Sequence, residues 1–347
     1  MIETLIVGSG FSALCSYLLL KESNLKILDC TRIKNETKLI RRDNLNINKF
    51  FSDNSISYGN FHYELNSKTK IHDRLISGGN TNIWGGFIDI KEVSENYIKI
   101  LKEHSITFHN LDLDINGYKT NNSSIRQLRD KDNNILNSKK FLKNCISGYL
   151  YSFKVEKDKI VTQIFNEKEN KFTFLNTKKI ILAVGFPQLI DLLFRSGFLD
   201  GLKTLSMNEY NHRFILNFSK KLNNLNIGDC VIKYDLIRSI KHFLGYQNSL
   251  DKIKFPFPIY IDQFFANNKK FLELKLNCSL KKIIQPENNL KFGDSIHYCN
   301  LFIDNMNIND YLLNISKNII GIGMPFLEQK KPGPISNDIM NDTYMKV

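Results

Sequence analysis

The first 29 residues contain a strand, a glycine turn, a helix and a second strand in direct succession. Residues 5–7 (LIV) predict a buried parallel strand, and residues 25–28 predict a second one. Residues 12–21 between them are apolar enough for a packed helix. The turn that leads into this helix reads G-x-G-x-x-A and consists of Gly8, Ser9, Gly10, Phe11, Ser12 and Ala13. This order predicts a βαβ unit, and therefore an α/β protein built on a parallel sheet.

The small residues of this turn suit a bound dinucleotide. Gly8 permits a tight turn, Gly10 lets the backbone approach a diphosphate at the helix N-terminus, and Ala13 allows close helix–strand packing. Asp29 follows Gly8 by 21 residues, near the spacing at which an acid binds ribose hydroxyls. The acid disfavours a 2′-phosphate, so FAD or NAD is favoured over NADP. This turn alone does not separate FAD from NAD, and a glycine turn without a ligand is the structural alternative.

Two later stretches are also punctuated by glycine. Residues 77–86 (SGGNTNIWGG) hold four of the eighteen glycines and the only tryptophan, Trp84. Glycine weakens helices and strands, so such a cluster indicates backbone that is bent or pressed against something. Residues 178–197 contain an apolar run, then Gly185, then an amphipathic stretch, which predicts another buried strand followed by a helix.

The order of these stretches resembles the glucose–methanol–choline (GMC) family of FAD-dependent oxidoreductases. Members carry the N-terminal G-x-G-x-x-G/A turn and then G-G-x-[ST]-x-x-[WN]-x-G, which residues 78–86 match as GGNTNIWGG. They also carry a strand–turn–helix stretch like residues 182–197, and a last loop and helix where this chain has GPISNDIM at 333–340. The resemblance covers about the first ninety residues, 178–197 and the last thirty to fifty, and the middle of the chain is not recognisable.

The resemblance implies the fold. It predicts a Rossmann-type FAD-binding domain with a parallel sheet, made of residues 1–197 and 318–347. A smaller α+β substrate domain with an antiparallel sheet, residues 198–317, is inserted between these two parts. The alternating stretch at 256–265 suits a strand of that antiparallel sheet. Residues 91–140, which are polar and rich in Asn and Lys, are predicted to be excursions from the FAD-binding domain.

The resemblance also implies the cofactor contacts. The glycine-rich segment is predicted to follow the diphosphate, with Trp84 near the isoalloxazine ring; a tryptophan anchored in the core is the alternative. Some relatives attach FAD through a histidine at the position of Ile83, so this chain is predicted to bind FAD noncovalently. The predicted cofactor-binding residues are Gly8, Gly10, Phe11, Ser12, Ala13, Asp29, Gly78, Gly79, Thr81, Asn82, Trp84, Gly185, Gly333, Pro334 and Ile335.

His297 is the predicted catalytic residue. In the family a histidine takes the hydroxyl proton of an alcohol while a hydride passes to flavin N5, and an imidazole has a suitable pKa for this step. Gly293, Ser295 and His297 match the spacing of the family stretch G-x-S-x-H-x-G-G-T, whereas Cys299-Asn300-Leu301 departs from its turn. The alternative for His297 is a structural or surface histidine.

Gly333 stands where the family has a second polar residue, a His or Asn before the final proline. Three alternatives follow: Asn337 or Ser336 replaces that residue, the enzyme works with one base, or alcohol oxidation has been lost. The leading function is an FAD-dependent oxidoreductase acting on a small-molecule alcohol, such as a sugar, with an unknown electron acceptor. The alternatives are an NAD-dependent dehydrogenase and a flavin-binding non-catalytic or interaction protein.

Composition disfavours several other classes. The formal net charge is +13, but the basic residues form no long block, so no nucleic-acid partner is expected. The six cysteines match no zinc or C-x-x-C pattern, which predicts no metal site and is typical of reduced cysteines in a cytoplasmic protein. No apolar run approaches the roughly 18 residues of a membrane span, and the N-terminus is a poor signal peptide. A peripheral membrane contact is left open.

Overall fold

The computed structural model describes residues 1–20, 24–29, 77–82, 84, 86–110, 114–115, 118–119, 125–166, 169–199, 205–209, 214–218, 231–233, 259–263, 280–284, 298–328 and 335–347. The described helices are α1 (Phe11–Leu19), α2 (Glu95–Glu103), α3 (Phe186–Arg195), α4 (Ile308–Ile315) and α5 (Ile335–Lys346). The described strands are β1 (Ile2–Val7), β2 (Leu25–Asp29), β3 (Phe87–Asp89), β4 (Thr107–Asn110), β5 (Asp114–Ile115), β6 (Tyr118–Lys119), β7 (Ile125–Arg129), β8 (Cys145–Ser147), β9 (Tyr149–Glu156), β10 (Lys159–Asn166), β11 (Lys171–Leu182), β12 (Leu205–Glu209), β13 (Phe214–Phe218), β14 (Val231–Lys233), β15 (Ile259–Gln263), β16 (Leu280–Ile284), β17 (Tyr298–Ile303), β18 (Met306–Asn307) and β19 (Ile319–Gly321). Short 3-10 helices lie at Gly79–Asn82, Ser138–Lys140 and Met324–Phe326.

A seven-stranded sheet forms the centre of the molecule. Its parallel part has the order β8-β2-β1-β11-β19, and β10 and β9 extend it from the first half of β11 as antiparallel strands. The last four residues of β1 are buried, which fits the central position that an apolar run at 5–7 predicts. The α/β class and the mostly parallel sheet are therefore confirmed.

Helices cover both faces of this sheet. Successive residues of a strand point to opposite faces, and β1 follows that rule. Leu5 and Val7 lie in a buried cluster with α3, which contributes Leu189. Ile6 lies in a second cluster with α1 and α5, which contribute Leu14 and Met340. The C-terminal helix thus packs against the first helix, so both ends of the chain build one layer.

Strand β11 joins an antiparallel meander to the parallel sheet. The first half of this strand pairs with β10, and its last residues lie between β1 and β19. Phe172 and Phe174 in the first half are exposed, whereas Ile180, Ile181 and Leu182 are fully buried. The strand that residues 178–197 predict is therefore the buried end of a longer one, and α3 follows it as predicted.

The remaining described strands form separate antiparallel sheets. Strands β13 to β16 pair in the order β14-β15-β13-β16, and β12, β17 and β18 form a three-stranded sheet. Strand β15 lies inside the alternating stretch at 256–265, so its predicted strand is confirmed. Leu301 and Ile303 of β17 join the same buried cluster as β1 and α3. The domain boundaries at residues 197 and 317 stay predictions.

Helix α1 is short and mostly buried. Cys15 on this helix is a free thiol, and burial raises its pKa to about 12. The Tyr97 hydroxyl of α2 donates a hydrogen bond to the Cys15 carbonyl oxygen (3.1 Å) and ties the two helices together. Cys15 therefore stays protonated and packs as a small apolar side chain. Within the described ranges, no helix has both the length and the apolar character needed to cross a membrane.

Candidate functional site

The carboxyl ends of β1 and β2 meet at one edge of the central sheet, and the first glycine turn lies there. Gly8 follows β1 with a φ of +115°, and its N–H donates to the Leu28 carbonyl oxygen at 2.9 Å. A Cβ atom at this position would collide with the backbone carbonyl of Ala183, which follows β11. The packing of the neighbouring strands therefore requires glycine at position 8.

Gly10 differs from Gly8 in what surrounds it. Gly10 is the N-cap of α1, its backbone is extended (φ −76°, ψ −169°), and no side chain caps the helix. Any residue adopts this conformation, and no described atom lies within 4 Å of the place that a Cβ would take. A side chain there would project in front of a helix N-terminus, where uncapped N–H groups and the dipole favour an anion. The protein itself does not require glycine here, whereas a closely bound anion would.

Asp29 ends β2, and both of its carboxylate oxygens accept hydrogen bonds. The Ser9 hydroxyl donates to Oδ1 and the Ser77 hydroxyl donates to Oδ2, each at 2.5 Å. A carboxylate offers about four lone-pair positions, and these two donors from the described residues fill two of them. Burial, and after it the charge of Asp29, raises the pKa of the Cys145 thiol on the adjacent strand β8. The carboxylate is thus fixed in place at the edge where the glycine turn lies.

The glycine-rich segment packs directly on the first glycine turn. The Gly78 N–H donates to Ser9 Oγ at 2.9 Å. Gly79 has a φ of +51°, and a Cβ on it would lie 3.2 Å from the Gly10 Cα. The backbone of Gly79 therefore packs directly against the backbone of Gly10. Only glycine at position 79 permits this close contact without strain. The structure brings together Gly10, Asp29 and the glycine-rich segment, which are far apart in sequence.

Thr81 and Asn82 use their polar atoms inside the glycine-rich segment. Thr81 is buried, and its hydroxyl donates to the Gly78 carbonyl oxygen at 2.5 Å. The Asn82 side-chain amide donates to the carbonyl oxygens of Ser77 (2.9 Å) and Gly79 (2.8 Å). These bonds hold the bent backbone in shape. Direct cofactor contacts by these two side chains stay predictions.

Trp84 is anchored to the protein at both ends of its ring system. Its indole N–H donates to the Leu136 carbonyl oxygen at 2.6 Å, and its ring lies 4.6 Å from that of Phe11, centroid to centroid. The two rings are tilted by 46°, within the range of favourable aromatic pairs. Trp84 therefore connects the glycine-rich segment to the start of α1, and its predicted contact with a flavin ring stays a prediction.

A third segment, residues 137–140, completes the cluster and was not predicted from the sequence. Ser138 is fully buried; its hydroxyl donates to the Ser9 carbonyl oxygen (2.5 Å), and its N–H donates to Thr81 Oγ1 (3.1 Å). The Asn137 amide donates to Asn82 Oδ1 at 2.9 Å. The segment lies in the polar stretch 91–140, which was expected to be an excursion. Its only sequence signal is an Asn in an N-cap position, which is too common to indicate a site.

The other described residues of the predicted site lie around the same turn or begin nearby helices. Ala13 is fully buried on α1, consistent with close packing. A Cβ on Gly323, which follows β19, would lie 2.6 Å from Ser12 Oγ, so the last strand closes on α1. Gly185 is the N-cap of α3, without a side-chain cap, and Ile335 begins α5. Ile83, His297, Gly333 and Pro334 lie outside the described residues.

The Asn337 side-chain amide is buried and bonded to backbone. It is 5% exposed, its Oδ1 accepts from the Asp89 N–H (2.9 Å), and its Nδ2 donates to the Asp89 carbonyl oxygen (2.7 Å). The amide is therefore occupied by backbone from the end of β3. Ser336 is also buried, at 3% exposure. Within the described parts of the chain, no group of three His, Cys, Asp or Glu side chains could hold a metal ion.

Comparison with known proteins supports the fold. No family model and no curated protein matches the sequence. Among solved structures the chain is similar to pyridoxine 4-oxidase from Mesorbium loti, with a TM-score of 0.53 and 8% sequence identity, over 100% of this chain and 98% of that one. A likeness at this identity concerns the fold alone. It agrees with a Rossmann-type architecture.

Two further structures match more weakly. The first is p-nitrophenol 4-monooxygenase PnpA from Pseudomonas putida DLL-E4, with a TM-score of 0.29 and 10% identity over 62% of this chain and 46% of that one. The second is the rebeccamycin biosynthetic enzyme RebC with reduced flavin, with a TM-score of 0.28 and 9% identity over 62% of this chain and 37% of that one. Less than half of each of these longer chains is covered.

Proposed function

We propose that this chain is an FAD-dependent oxidoreductase that binds FAD noncovalently and oxidises a small-molecule alcohol, a sugar among the candidates. The observation that carries the proposal is the convergence of Gly10, Asp29 and Gly79 at one edge of a parallel sheet. A helix N-terminus for a diphosphate and an acid for a ribose lie side by side there, as a dinucleotide requires. The overall likeness in fold to a pyridoxine 4-oxidase supports an oxidoreductase.

The described residues fit the adenosine diphosphate half of FAD. The N-terminus of α1 supplies N–H donors for the diphosphate, and Gly10 keeps side-chain atoms out of their way. The Asp29 lone pairs that no described donor fills suit ribose hydroxyls. Gly79 lets the glycine-rich segment pack closely on this turn, and Trp84 contacts Phe11 at the start of α1. Bound FAD supplies the acceptor for the hydride, while the protein supplies binding, orientation and electrostatics.

On the family resemblance, we propose that His297 accepts the proton of the substrate hydroxyl. An imidazole accepts a proton near neutral pH, and it suits an alcohol whose carbon loses a hydride at the same time. His297→Ala is expected to lower turnover by two to four orders of magnitude, roughly 10²–10⁴-fold, with FAD still bound. His104→Ala, on the exposed C-cap of α2, is the matched control. Equal turnover in the two variants would remove His297 from this role.

A flavin-binding protein without alcohol oxidation is the second candidate. The state of Asn337 favours it, because the amide is buried and bound to the Asp89 backbone. With Gly333 at the position before the proline, the family's second polar contact with a substrate oxygen has no replacement at Asn337. Anaerobic mixing of the FAD-loaded protein with a panel of alcohols and sugars separates the two candidates. Bleaching of the flavin by one of them supports the oxidoreductase.

The absorption spectrum of the purified protein, before and after incubation with FAD, tests cofactor binding. We expect two flavin bands, and we expect acid precipitation to release FAD into the supernatant because the cofactor is held noncovalently. After unbound FAD has been removed, Asp29→Ala is expected to show weaker flavin bands than the wild type, because the ribose loses its acceptor and binding is weaker. NADH titration followed by fluorescence is the counter-test. A protein that binds NADH and takes up no FAD would overturn the proposal in favour of an NAD-dependent dehydrogenase.

A further inference from the structure

We infer that Ser77 and Ser9 are positioning residues for Asp29, and that they make recognition of the adenosine ribose depend on the seating of the glycine-rich segment. The inference rests on the proposed function, because the ribose belongs to the bound FAD. It adds to that proposal two hydroxyl side chains that the glycine motifs do not specify. Both hydroxyls act on the cofactor through the carboxylate, so neither is a catalytic residue.

The hydrogen bonds around Ser9 run in one direction. The Gly78 N–H can only donate, so Ser9 Oγ accepts from it at 2.9 Å. The single hydroxyl proton of Ser9 is then free to go to Asp29 Oδ1, at 2.5 Å. Asp29 Oδ1 is therefore the acceptor in this bond. The chain Gly78–Ser9–Asp29 links the glycine-rich segment to the acid through one hydroxyl.

Ser77 links the glycine-rich segment to Asp29 directly. Its hydroxyl donates to Asp29 Oδ2 at 2.5 Å, and its carbonyl oxygen accepts from the Asn82 amide inside the glycine-rich segment. The carboxylate is thus held by one donor on each oxygen, which fixes the rotation of its plane. Its remaining lone pairs then have one orientation toward a ribose. If the glycine-rich segment shifts, the Ser77 hydroxyl leaves Oδ2 and the Ser9 hydroxyl loses the bond from the Gly78 N–H, so the acid loses that orientation.

A positioning role and a purely structural one predict different behaviour in a double-mutant cycle. If Ser77 acts through Asp29, its hydroxyl has nothing to orient once the carboxylate is gone. If Ser77 only braces the segment, its loss weakens binding by the same factor with or without Asp29. Distant, independent sites add to within a few tenths of a kcal/mol, so coupling above about twofold in affinity separates the two roles.

The experiment measures the dissociation constants of FAD and of ADP by equilibrium dialysis for the wild type, Ser77→Ala, Asp29→Ala and the double variant. Loss of a hydrogen bond to a charged group predicts that Ser77→Ala weakens binding of both ligands roughly tenfold. In the Asp29→Ala background the same change is expected to have an effect of less than about twofold. Ser77→Thr keeps the hydroxyl and is expected to restore most of the affinity. Ser152→Ala, whose hydroxyl bonds Gln163 in the meander, is the control and should bind as the wild type does.

The results separate this inference from the proposed function. Wild-type protein that binds FAD, with Ser77→Ala weakened equally in both backgrounds or not weakened at all, overturns the inference alone. Wild-type protein that binds neither FAD nor ADP overturns the proposed function and the inference with it. Should Ser77→Ala lose its circular dichroism spectrum, Ser9→Ala replaces it in the same cycle. The same coupling with Asp29 is expected, because Ser9 holds the other oxygen.

Discussion

At the scale of single residues, two glycines of one turn are required by different partners. Gly8 has a left-handed backbone, and a Cβ on it would strike the Ala183 carbonyl, so the fold needs it. Gly10 has an ordinary backbone conformation, and no described atom lies within 4 Å of its Cβ position. Glycine is therefore needed at position 8 for the packing of the protein. Under the proposed function, glycine is needed at position 10 so that the FAD diphosphate can come close to the backbone.

Alanine at each glycine separates these requirements. Gly10→Ala is expected to lower the free energy of unfolding of the protein without cofactor by about 1 kcal/mol at most, because its backbone is unstrained and the N-cap preference for Gly over Ala is of that size. The same variant is expected to weaken FAD binding at least roughly tenfold, because its methyl group projects toward the diphosphate. Gly8→Ala is expected to destabilise the protein by several kcal/mol, on the order of 2–4, through strain and collision.

Urea unfolding and FAD titration of the two variants provide the measurements. Gly197→Ala is a matched control, because Gly197 has a φ of +74° with no described atom near its Cβ position and lies beyond α3. It should show the cost of backbone strain alone and leave FAD affinity unchanged. A Gly10→Ala variant that binds FAD as the wild type does would show that no anion lies at this helix end.

Sequence reasoning succeeded at residues whose chemistry depends on near neighbours in the chain. The glycines at 8 and 10 and the acid at 29 sit in a local pattern, and the structure brings them to one edge. Ser138 could not be found in this way. Its role comes from its bond to the Ser9 carbonyl oxygen, 129 positions away in sequence, and a serine in a polar stretch carries no sign of such a partner.

At the scale of secondary-structure elements, one side-chain amide fastens the last helix to the strand after the glycine-rich segment. Asn337 on α5 donates to and accepts from the backbone of Asp89 at the end of β3, and both residues are buried. A side-chain amide pairs with a backbone peptide group in this way much as a second strand would. The bond pair joins positions 248 residues apart and adds to the apolar packing that holds the C-terminal helix.

Removing this amide is expected to destabilise the protein strongly. Asn337→Ala leaves the buried Asp89 N–H without its partner, whereas the Asp89 carbonyl oxygen keeps the Glu92 N–H as a donor (3.1 Å). An orphaned buried N–H costs about 1–3 kcal/mol, so we expect a decrease of that size in the free energy of unfolding, measured by urea denaturation. Asn341→Ala is the matched control on the same helix, since its amide donates to the Glu92 carbonyl at an exposed position. Asn341→Ala should lower the free energy of unfolding by less than about 1 kcal/mol. If the two variants lose the same amount of stability, the buried bonds of Asn337 to Asp89 contribute no more than an exposed one.

The elements that sequence predicted are those with a simple apolar pattern. Strands β1 and β2, helix α3 and the buried end of β11 all contain such runs. The meander β9–β10–β11 was not anticipated. Strand β10 alternates between buried and half-buried positions, but the first four residues of β11 are all exposed, Phe172 and Phe174 included. The apolar character of these two side chains therefore does not indicate which face of the strand packs on the core. The topology depends on which strands pair with each other, and the pattern of apolar residues in the sequence does not show this.

At the scale of the whole molecule, three segments far apart in sequence build one site on a sheet whose strands come from both ends of the chain. The first glycine turn, the glycine-rich segment and residues 137–140 are joined by hydrogen bonds through Ser9, Gly78, Thr81 and Ser138. Strand β19 extends the same sheet beside β11, and helix α5 packs on the face that α1 covers. The site is therefore built from segments that only the folded chain brings together.

Cofactor binding is therefore expected to protect all three segments at once. A ligand that binds only the folded protein stabilises it by about 2.7 kcal/mol at one hundred times its dissociation constant. Amides of the three segments that exchange by local opening should then exchange up to roughly a hundredfold more slowly in FAD, as measured by hydrogen–deuterium exchange with mass spectrometry. The exposed turn between β9 and β10, residues 156–159, lies at the far end of the meander and should keep its rate. If FAD slows exchange only at the start of α1, the glycine-rich segment and residues 137–140 do not contribute to its binding. Segments that contact the cofactor together would all open less often when it is bound.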